Sequence, residues 1–130
     1  MTDDLSKKGE AVRREVLGDA YVDKALATSD EFGAPLQELV TKLVWGGVWA
    51  REGLDRKTRS LLNLAMLAAL NRQDEMKIHL RGALRNGCSK VEIRETLLQV
   101  AIYAGFPAAL TGFRLAREVF AEKAEGAAAE

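Results

Sequence analysis

Helical periodicity runs along almost the whole sequence and constrains the fold more than any other feature. Only two prolines interrupt 130 residues, and the alternation of β-branched residues that marks strands is nearly absent. The sequence therefore predicts an all-α fold. A chain of this length fits one domain, so we treat residues 1–130 as a single domain with an alanine- and glutamate-rich tail from Glu125 that is expected to fray.

Start and stop signals predict about six helices. In the N-terminal part, Ser6–Leu17 is an amphipathic helix that ends near Gly18, and residues 1–18 are expected to dock on the main body. A short second helix covers Tyr21–Ala27. A third begins at Pro35, which suits a first helical turn, and ends near Gly53.

Cap signals divide the C-terminal part. Asp55 is a candidate N-cap for the helix RKTRSLLNLAMLAALN. The pair Asn86-Gly87 suits the left-handed conformation at the end of the next helix. Ser89 and Glu92 have the spacing of a capping box, which predicts the start of the helix that follows.

The third helix carries Trp45 and Trp49 on either side of Gly46 and Gly47. Each glycine costs a helix about 1 kcal/mol relative to alanine, so we expect another group to approach the backbone here, either a neighbouring helix or a ligand. An aromatic pair four residues apart is usually part of a core or an interface. Substrate contact by Trp49 is the alternative.

The helix after Asp55 has apolar side chains that point in nearly every direction between Leu61 and Leu70. Such a helix must be buried all round, and a small domain struggles to surround it with its own chain. We therefore predict that a second subunit covers part of it.

Charge and cysteine content exclude several classes of function. Nineteen basic and nineteen acidic residues cancel, so neither a nucleic acid nor a membrane is an expected partner. The lone Cys88 cannot form an internal disulfide and is expected to be inert, and no zinc-ligand spacing or phosphate-binding glycine loop occurs. The single cysteine and the lack of an apolar signal core predict a cytosolic protein. The missing ligand spacing and cofactor motifs predict that it uses neither a metal nor a cofactor.

The only histidine, His79, shares a helical stripe with Glu75 and Asn86 in the run DEMKIHLRGALRNG. A carboxylate, an imidazole and an amide on one face could handle a proton. A surface ion pair at this spacing is equally compatible with the pattern. A perturbed pKa in a cleft would separate the two interpretations.

Arg51, Arg56 and Arg59 lie around one inter-helix turn, where a guanidinium group could bind a carboxylate through two hydrogen bonds. Solvated charge is the usual role of such residues. Arg59 is the strongest candidate for binding because it directly precedes the apolar helix. Tyr103 could be a core residue or could extend its hydroxyl to the edge of a cavity.

Three segments carry a family resemblance: WGGVWAREGLDRKTRSLLNLAMLAALNR, HLRGALRNGCSKVEIRETLLQ and YAGFPAAL. Their motifs occur in the order found in the carboxymuconolactone decarboxylase family, and the resemblance covers roughly Tyr21 to Glu122. It implies an AhpD-like helical bundle that assembles into rings, typically hexamers.

The resemblance also implies an activity. By this resemblance, the expected substrate is the small anionic lactone 4-carboxymuconolactone, which would become the enol-lactone of 3-oxoadipate and carbon dioxide in protocatechuate breakdown by the β-ketoadipate pathway. The same resemblance implies a reaction that needs no cofactor. His79 would transfer a proton with Glu75 orienting the imidazole or supplying the proton, Arg59 would clamp a carboxylate, and Trp49, Asn86 and Tyr103 would lie near the substrate.

Two other functions stay open within the same superfamily. Alkylhydroperoxidases use a C-x-x-C pair ahead of the histidine, and those positions here hold Arg72 and Glu75, which cannot form thiolates. A peroxidase is therefore disfavoured. A non-catalytic oligomeric binding protein is the other alternative.

Overall fold

Seven α-helices and one π-helical segment form the regular structure of residues 3–129, the part of the chain that the computed structural model describes, with side chains through Glu122. No strand occurs in this part, so the all-α prediction is confirmed. The chain divides into two compact units, Met1–Arg56 and Lys57–Glu130. The single domain stays a prediction. The fraying tail from Glu125 does too, because its side chains lie outside the described residues.

The first unit contains α1 (Asp4–Leu17), α2 (Asp19–Ala27) and α3 (Ala34–Leu39), which continues directly as the π-helical segment Val40–Trp49. The other helices are α4 (Arg56–Ala69), α5 (Gln73–Arg85), α6 (Lys90–Tyr103) and α7 (Phe106–Ala129). None of these helices is long and apolar enough to cross a membrane.

The ends of α1 show how local signals set the helix bounds. Asp3 is the N-cap, and its Oδ1 accepts a hydrogen bond from the Ser6 N–H at 2.8 Å, so α1 begins two residues before the predicted Ser6. The predicted end is confirmed because Gly18, with φ 90°, lies in the region that favours glycine. The second helix then begins at Asp19 instead of Tyr21.

The predicted α-helix from Pro35 to Gly53 is wrong in two respects: its second half is a π-helix, and it ends at Trp49. Backbone contact with α1 explains the glycine at Gly46. A Cβ there would lie 2.4 Å from the Leu5 carbonyl oxygen, and one at Gly9 would lie 2.0 Å from the Thr41 carbonyl oxygen. A neighbouring helix, rather than a ligand, therefore approaches Gly46.

In the second unit, α5 and α6 both pack on α7. Ser89 and Glu92 form both hydrogen bonds of the predicted capping box, at 2.9 and 3.0 Å. Gly87 has the predicted positive φ, 88°. The side chains buried in the core come from all four helices of this unit and from the α5–α6 turn: Leu64, Ala68, Met76, Leu80, Ala83, Cys88, Ile93, Leu97, Val100, Leu115, Ala116 and Val119.

Within this chain, α4 is buried on one side only. Its buried residues are Ser60, Leu64 and Ala68. Leu62, Met66 and Leu70 are 47, 53 and 64 % exposed. The single chain therefore leaves apolar surface on α4 that it does not cover itself.

Candidate active site

Two side-chain hydrogen bonds join α4 to α5 and define the candidate site. Asn63 on α4 places its Nδ2 3.3 Å from Nδ1 of His79 on α5. Ser60, one turn earlier on α4, accepts a 2.8 Å hydrogen bond from Nδ2 of Asn86 at the end of α5. An amide NH₂ group can only donate, so the first pair is a hydrogen bond when Nδ1 of His79 carries no hydrogen.

The chain folds into this arrangement because a tight turn returns α5 alongside α4. Asn71, in the turn, has φ 57°, a conformation that asparagine tolerates better than most residues. Ser60 is fully buried and needs a partner, which Asn86 supplies. Asn63 and His79 are both half-buried.

Burial lowers the pKa of His79 from its usual 6.5 to about 4, and the nearby negative charge of Glu75 opposes this shift without overcoming it. The imidazole is therefore neutral at pH 7. An exposed Glu–His ion pair would instead raise the pKa of the histidine. The low pKa in a half-buried position favours the chemical interpretation of the stripe over the surface pair.

We expect an NMR titration to give His79 a pKa of about 4. The chain has one histidine, so its ring signals need no assignment by mutation. Since the unfolded chain binds this proton near pH 6.5 and the folded chain only near pH 4, stability should fall as the pH drops through that window. Urea unfolding of a His79→Gln variant should lose this part of the pH dependence. A pKa at or above 6.5 would contradict the burial argument.

The other predicted site residues lie in different environments. Glu75 is exposed in the first turn of α5, and Tyr103 is 82 % exposed at the end of α6. Arg59 is half-buried on α4, four residues before Asn63 and so on the same face of that helix. Their predicted roles stay predictions.

Trp49 lies in the first unit. It is 5 % exposed, and its ring stacks on Trp45 with centroids 4.9 Å apart. This is the core arrangement expected for such a pair, and the substrate contact of Trp49 stays a prediction. Arg56 forms an ion pair with Glu15, which gives it a structural role, while Arg51 is exposed.

Sequence reasoning missed Asn63 and Ser60. Both are polar residues within or beside the apolar run of α4, and a buried polar group requires a hydrogen-bond partner. That rule could have singled them out. Their partners on α5 could not be read from the pattern, because it carries no information on how the two helices pair.

A family model described as the carboxymuconolactone decarboxylase family matches residues 34–118. The chain is 43% identical over 114 residues to a 4-carboxymuconolactone decarboxylase of Acinetobacter baylyi, covering 88% of this chain and 85% of that protein. It is 45% identical over 106 residues to a nitrosuccinic acid decarboxylase of Metarhizium robertsii, covering 82% and 74%. The matched region contains α4, α5 and every candidate residue of the site.

Proposed function

We propose that this chain, which belongs to the carboxymuconolactone decarboxylase family, is a decarboxylase that converts 4-carboxymuconolactone to the enol-lactone of 3-oxoadipate and carbon dioxide. The observation that carries the proposal is the half-buried, neutral His79, which contacts Asn63. This residue lies in a region that is 43% identical to the 4-carboxymuconolactone decarboxylase of Acinetobacter baylyi. The imidazole of His79 is a polar group in a position partly shielded from water, which suits a reaction in which negative charge develops on the substrate.

The substrate provides its own electron sink. When the bond between the ring carbon and the carboxylate breaks, its electron pair moves through the ring double bond and onto the lactone carbonyl oxygen, giving a dienolate and carbon dioxide. The carbonyl then re-forms as the ring carbon beside it takes one proton. The substrate dianion and one proton thus yield the product monoanion and carbon dioxide, without a redox step.

Three tasks remain for the protein. It must hold a dianion, stabilise the charge that develops on the lactone oxygen, and allow a proton to reach the ring carbon. Arg59 is the proposed carboxylate clamp, because its forked guanidinium group matches a carboxylate. His79 is the proposed contact for the reacting part of the ring, and the exposed Glu75 is proposed to orient the imidazole or to supply the proton.

Nitrosuccinic acid is a second candidate substrate. It is favoured by the 45% identity to the nitrosuccinic acid decarboxylase of Metarhizium robertsii. It is also a dicarboxylate, and its nitro group can accept the electron pair that carbon dioxide leaves behind. The same tasks for the protein would serve either compound. The lactone ranks first because the match to the lactone enzyme covers more of both chains.

The positions of Arg72, Glu75 and Cys88 argue against a thiol peroxidase. Arg72 and Glu75 occupy the N-cap and first turn of α5, where that chemistry would need two thiols. The lone Cys88 is buried in the core, with Sγ 3.6 Å from the Lys57 carbonyl oxygen. A buried thiol in apolar surroundings is a poor nucleophile.

Turnover of the purified protein tests the proposal. Incubation with 4-carboxymuconolactone should release carbon dioxide with loss of the lactone absorbance, and nitrosuccinic acid in a parallel assay measures the second candidate. Turnover of nitrosuccinic acid alone would reassign the substrate. Turnover of neither at any pH between about 5 and 9 would favour the non-catalytic alternative.

Exhaustive dialysis against a chelator should leave the activity unchanged. The proposed electron flow needs no Lewis acid, and the described residues contain no group of three or more potential metal ligands from histidine, cysteine, aspartate and glutamate. The assay compares dialysed enzyme before and after addition of divalent ions. Activity that disappears and is restored by one specific ion would contradict this prediction.

We also propose that the protein is a homo-oligomer, with a hexameric ring as the expected form. Exposed apolar residues support it on α4 and also near the α6–α7 turn, where Ile102, Phe106 and Leu110 are 71, 64 and 69 % exposed. Exposed apolar surface of this extent usually marks an interface.

Light scattering should therefore give a mass several times the 14.2 kDa of one chain. Ile102→Glu should lower that mass, because it places a charge on the apolar surface. Ala121→Glu, which adds the same charge at an exposed position near the end of the part of α7 whose side chains are described, is the control. A wild-type protein that stays monomeric at micromolar concentration would contradict the proposal.

A further inference from the structure

We propose that Asn63 is a positioning residue that fixes His79 in its Nε2–H tautomer, so that the imidazole acts in its neutral form as a hydrogen-bond donor to the oxygen on which negative charge develops. The tautomer is argued from the contact between Asn63 and His79 and does not depend on the substrate. The role of the donor rests on the proposed function above.

Geometry supports the tautomer. The Asn63 Nδ2 atom lies 3.3 Å from Nδ1 of His79 and can only donate, so Nδ1 must offer its lone pair. A neutral imidazole carries its one ring hydrogen on the other nitrogen. The hydrogen on His79 therefore sits on Nε2.

The surroundings of the two side chains keep this pair in place. Asn63 lies one turn from Ser60, which accepts a 2.8 Å hydrogen bond from Asn86. The Asn63–His79 and Ser60–Asn86 contacts therefore connect α4 to α5 at two positions one helical turn apart. Two connections limit the sliding of one helix along the other. The orientation of the His79 ring is then set by packing and by Asn63 together, as a preorganised donor requires.

The charge state agrees with this role. Burial lowers the pKa of His79 enough to keep the imidazole neutral at pH 7, although the negative charge of Glu75 opposes this shift. An Asn63 amide that donates to Nδ1 also disfavours a second ring hydrogen at that nitrogen. A neutral Nε2–H can stabilise an oxyanion without giving up its proton, so the ring carbon takes its proton from solvent.

Nitrogen-15 NMR on the uniformly labelled, assembled protein tests the tautomer without any turnover. At pH 7 the single imidazole should show a pyridine-type Nδ1 and a pyrrole-type Nε2. Asn63→Asp should reverse the assignment, because its carboxylate accepts a hydrogen bond from Nδ1–H. Asn71→Asp makes the same change in the turn after α4, where Asn71 contacts Gln73, and should leave the ring signals unchanged.

Kinetics test the role of the donor. Asn63→Asp should lower kcat by about 10²- to 10³-fold, the usual effect of losing one oxyanion donor, with little change in KM. Asn71→Asp should retain wild-type kcat. A wild-type Nδ1–H tautomer or an imidazolium at pH 7 would overturn the proposal, as would an Asn63→Asp variant with unchanged tautomer and kcat. Absence of lactone turnover with the expected tautomer would instead count against the proposed function.

Discussion

His79→Ala is expected to lower kcat by about 10²- to 10⁴-fold, the range spanned by loss of an oxyanion donor or of a proton-transfer group. The change removes the one imidazole of the chain from a half-buried site and leaves Asn63 without its partner. KM should change much less, because a contact that strengthens only as charge develops contributes little to substrate binding. Steady-state kinetics with 4-carboxymuconolactone give both constants.

A second substitution separates the two possible roles of His79. Glutamine can donate a hydrogen bond from its side-chain amide but cannot transfer a proton at neutral pH. If His79 is a neutral donor, His79→Gln should retain at least about tenfold more kcat than His79→Ala, a fraction of the effect of a single oxyanion donor. If it is a general acid, the two variants should be equally impaired.

Circular dichroism and the mass from light scattering serve as controls for folding and assembly of both variants. A correctly folded and assembled His79→Ala protein with nearly unchanged kcat would return His79 to a structural role. The proton donor and the charge-stabilising group would then have to be sought elsewhere on α4 and α5.

The sequence predicted those features of the fold that depend on a few neighbouring residues. Ser89 and Glu92 lie three residues apart, and the cap they form needs no other part of the chain. Gly87 and Gly18 end their helices because glycine tolerates a positive φ. Such signals are complete within one turn of helix, which is why the ends that depend on them were predicted correctly.

The π-helical segment could not be predicted in this way. Its contacts include the Thr41 carbonyl oxygen against Gly9 and the Gly46 backbone against Leu5, which join residues more than thirty positions apart. Periodicity along Val40–Trp49 indicates a helix but not how many residues each turn holds. The number of residues per turn is therefore a property of the packed pair of helices, not of either segment alone.

The candidate site also combines residues that are close in the sequence with residues that only the packing of helices brings together. Glu75 and His79 lie on α5 and Asn86 is its C-cap residue, so their spacing in the sequence already indicated a common stripe. The structure shows a hydrogen bond from Asn86 to Ser60 and a contact between Asn63 and His79. Both partners come from α4, and only the pairing of the two helices brings them to α5.

Arg59→Ala is expected to raise KM by about 10²-fold, with a smaller effect on kcat. Arg59 is half-buried and lies one helical turn before Asn63, so its charge is on the α4 face that carries the contact to His79. Loss of a charged, two-point hydrogen bond to a carboxylate costs about 2–5 kcal/mol, and an interaction present throughout the reaction is lost mainly from binding. Steady-state kinetics with 4-carboxymuconolactone measure the split.

Two further variants test whether Arg59 acts as a carboxylate clamp or only through its positive charge. Arg59→Lys keeps the positive charge but loses the planar fork, so its KM should lie between those of the wild type and Arg59→Ala. Arg56→Ala removes the same charge from the same helix, three residues earlier, where Arg56 pairs with Glu15. An exposed ion pair contributes about 1 kcal/mol or less to stability, so this control should fold and bind substrate normally. Equal increases in KM for Arg56→Ala and Arg59→Ala would show that the helix acts only through its overall charge, and an unchanged KM for Arg59→Ala would remove the clamp from the proposed mechanism.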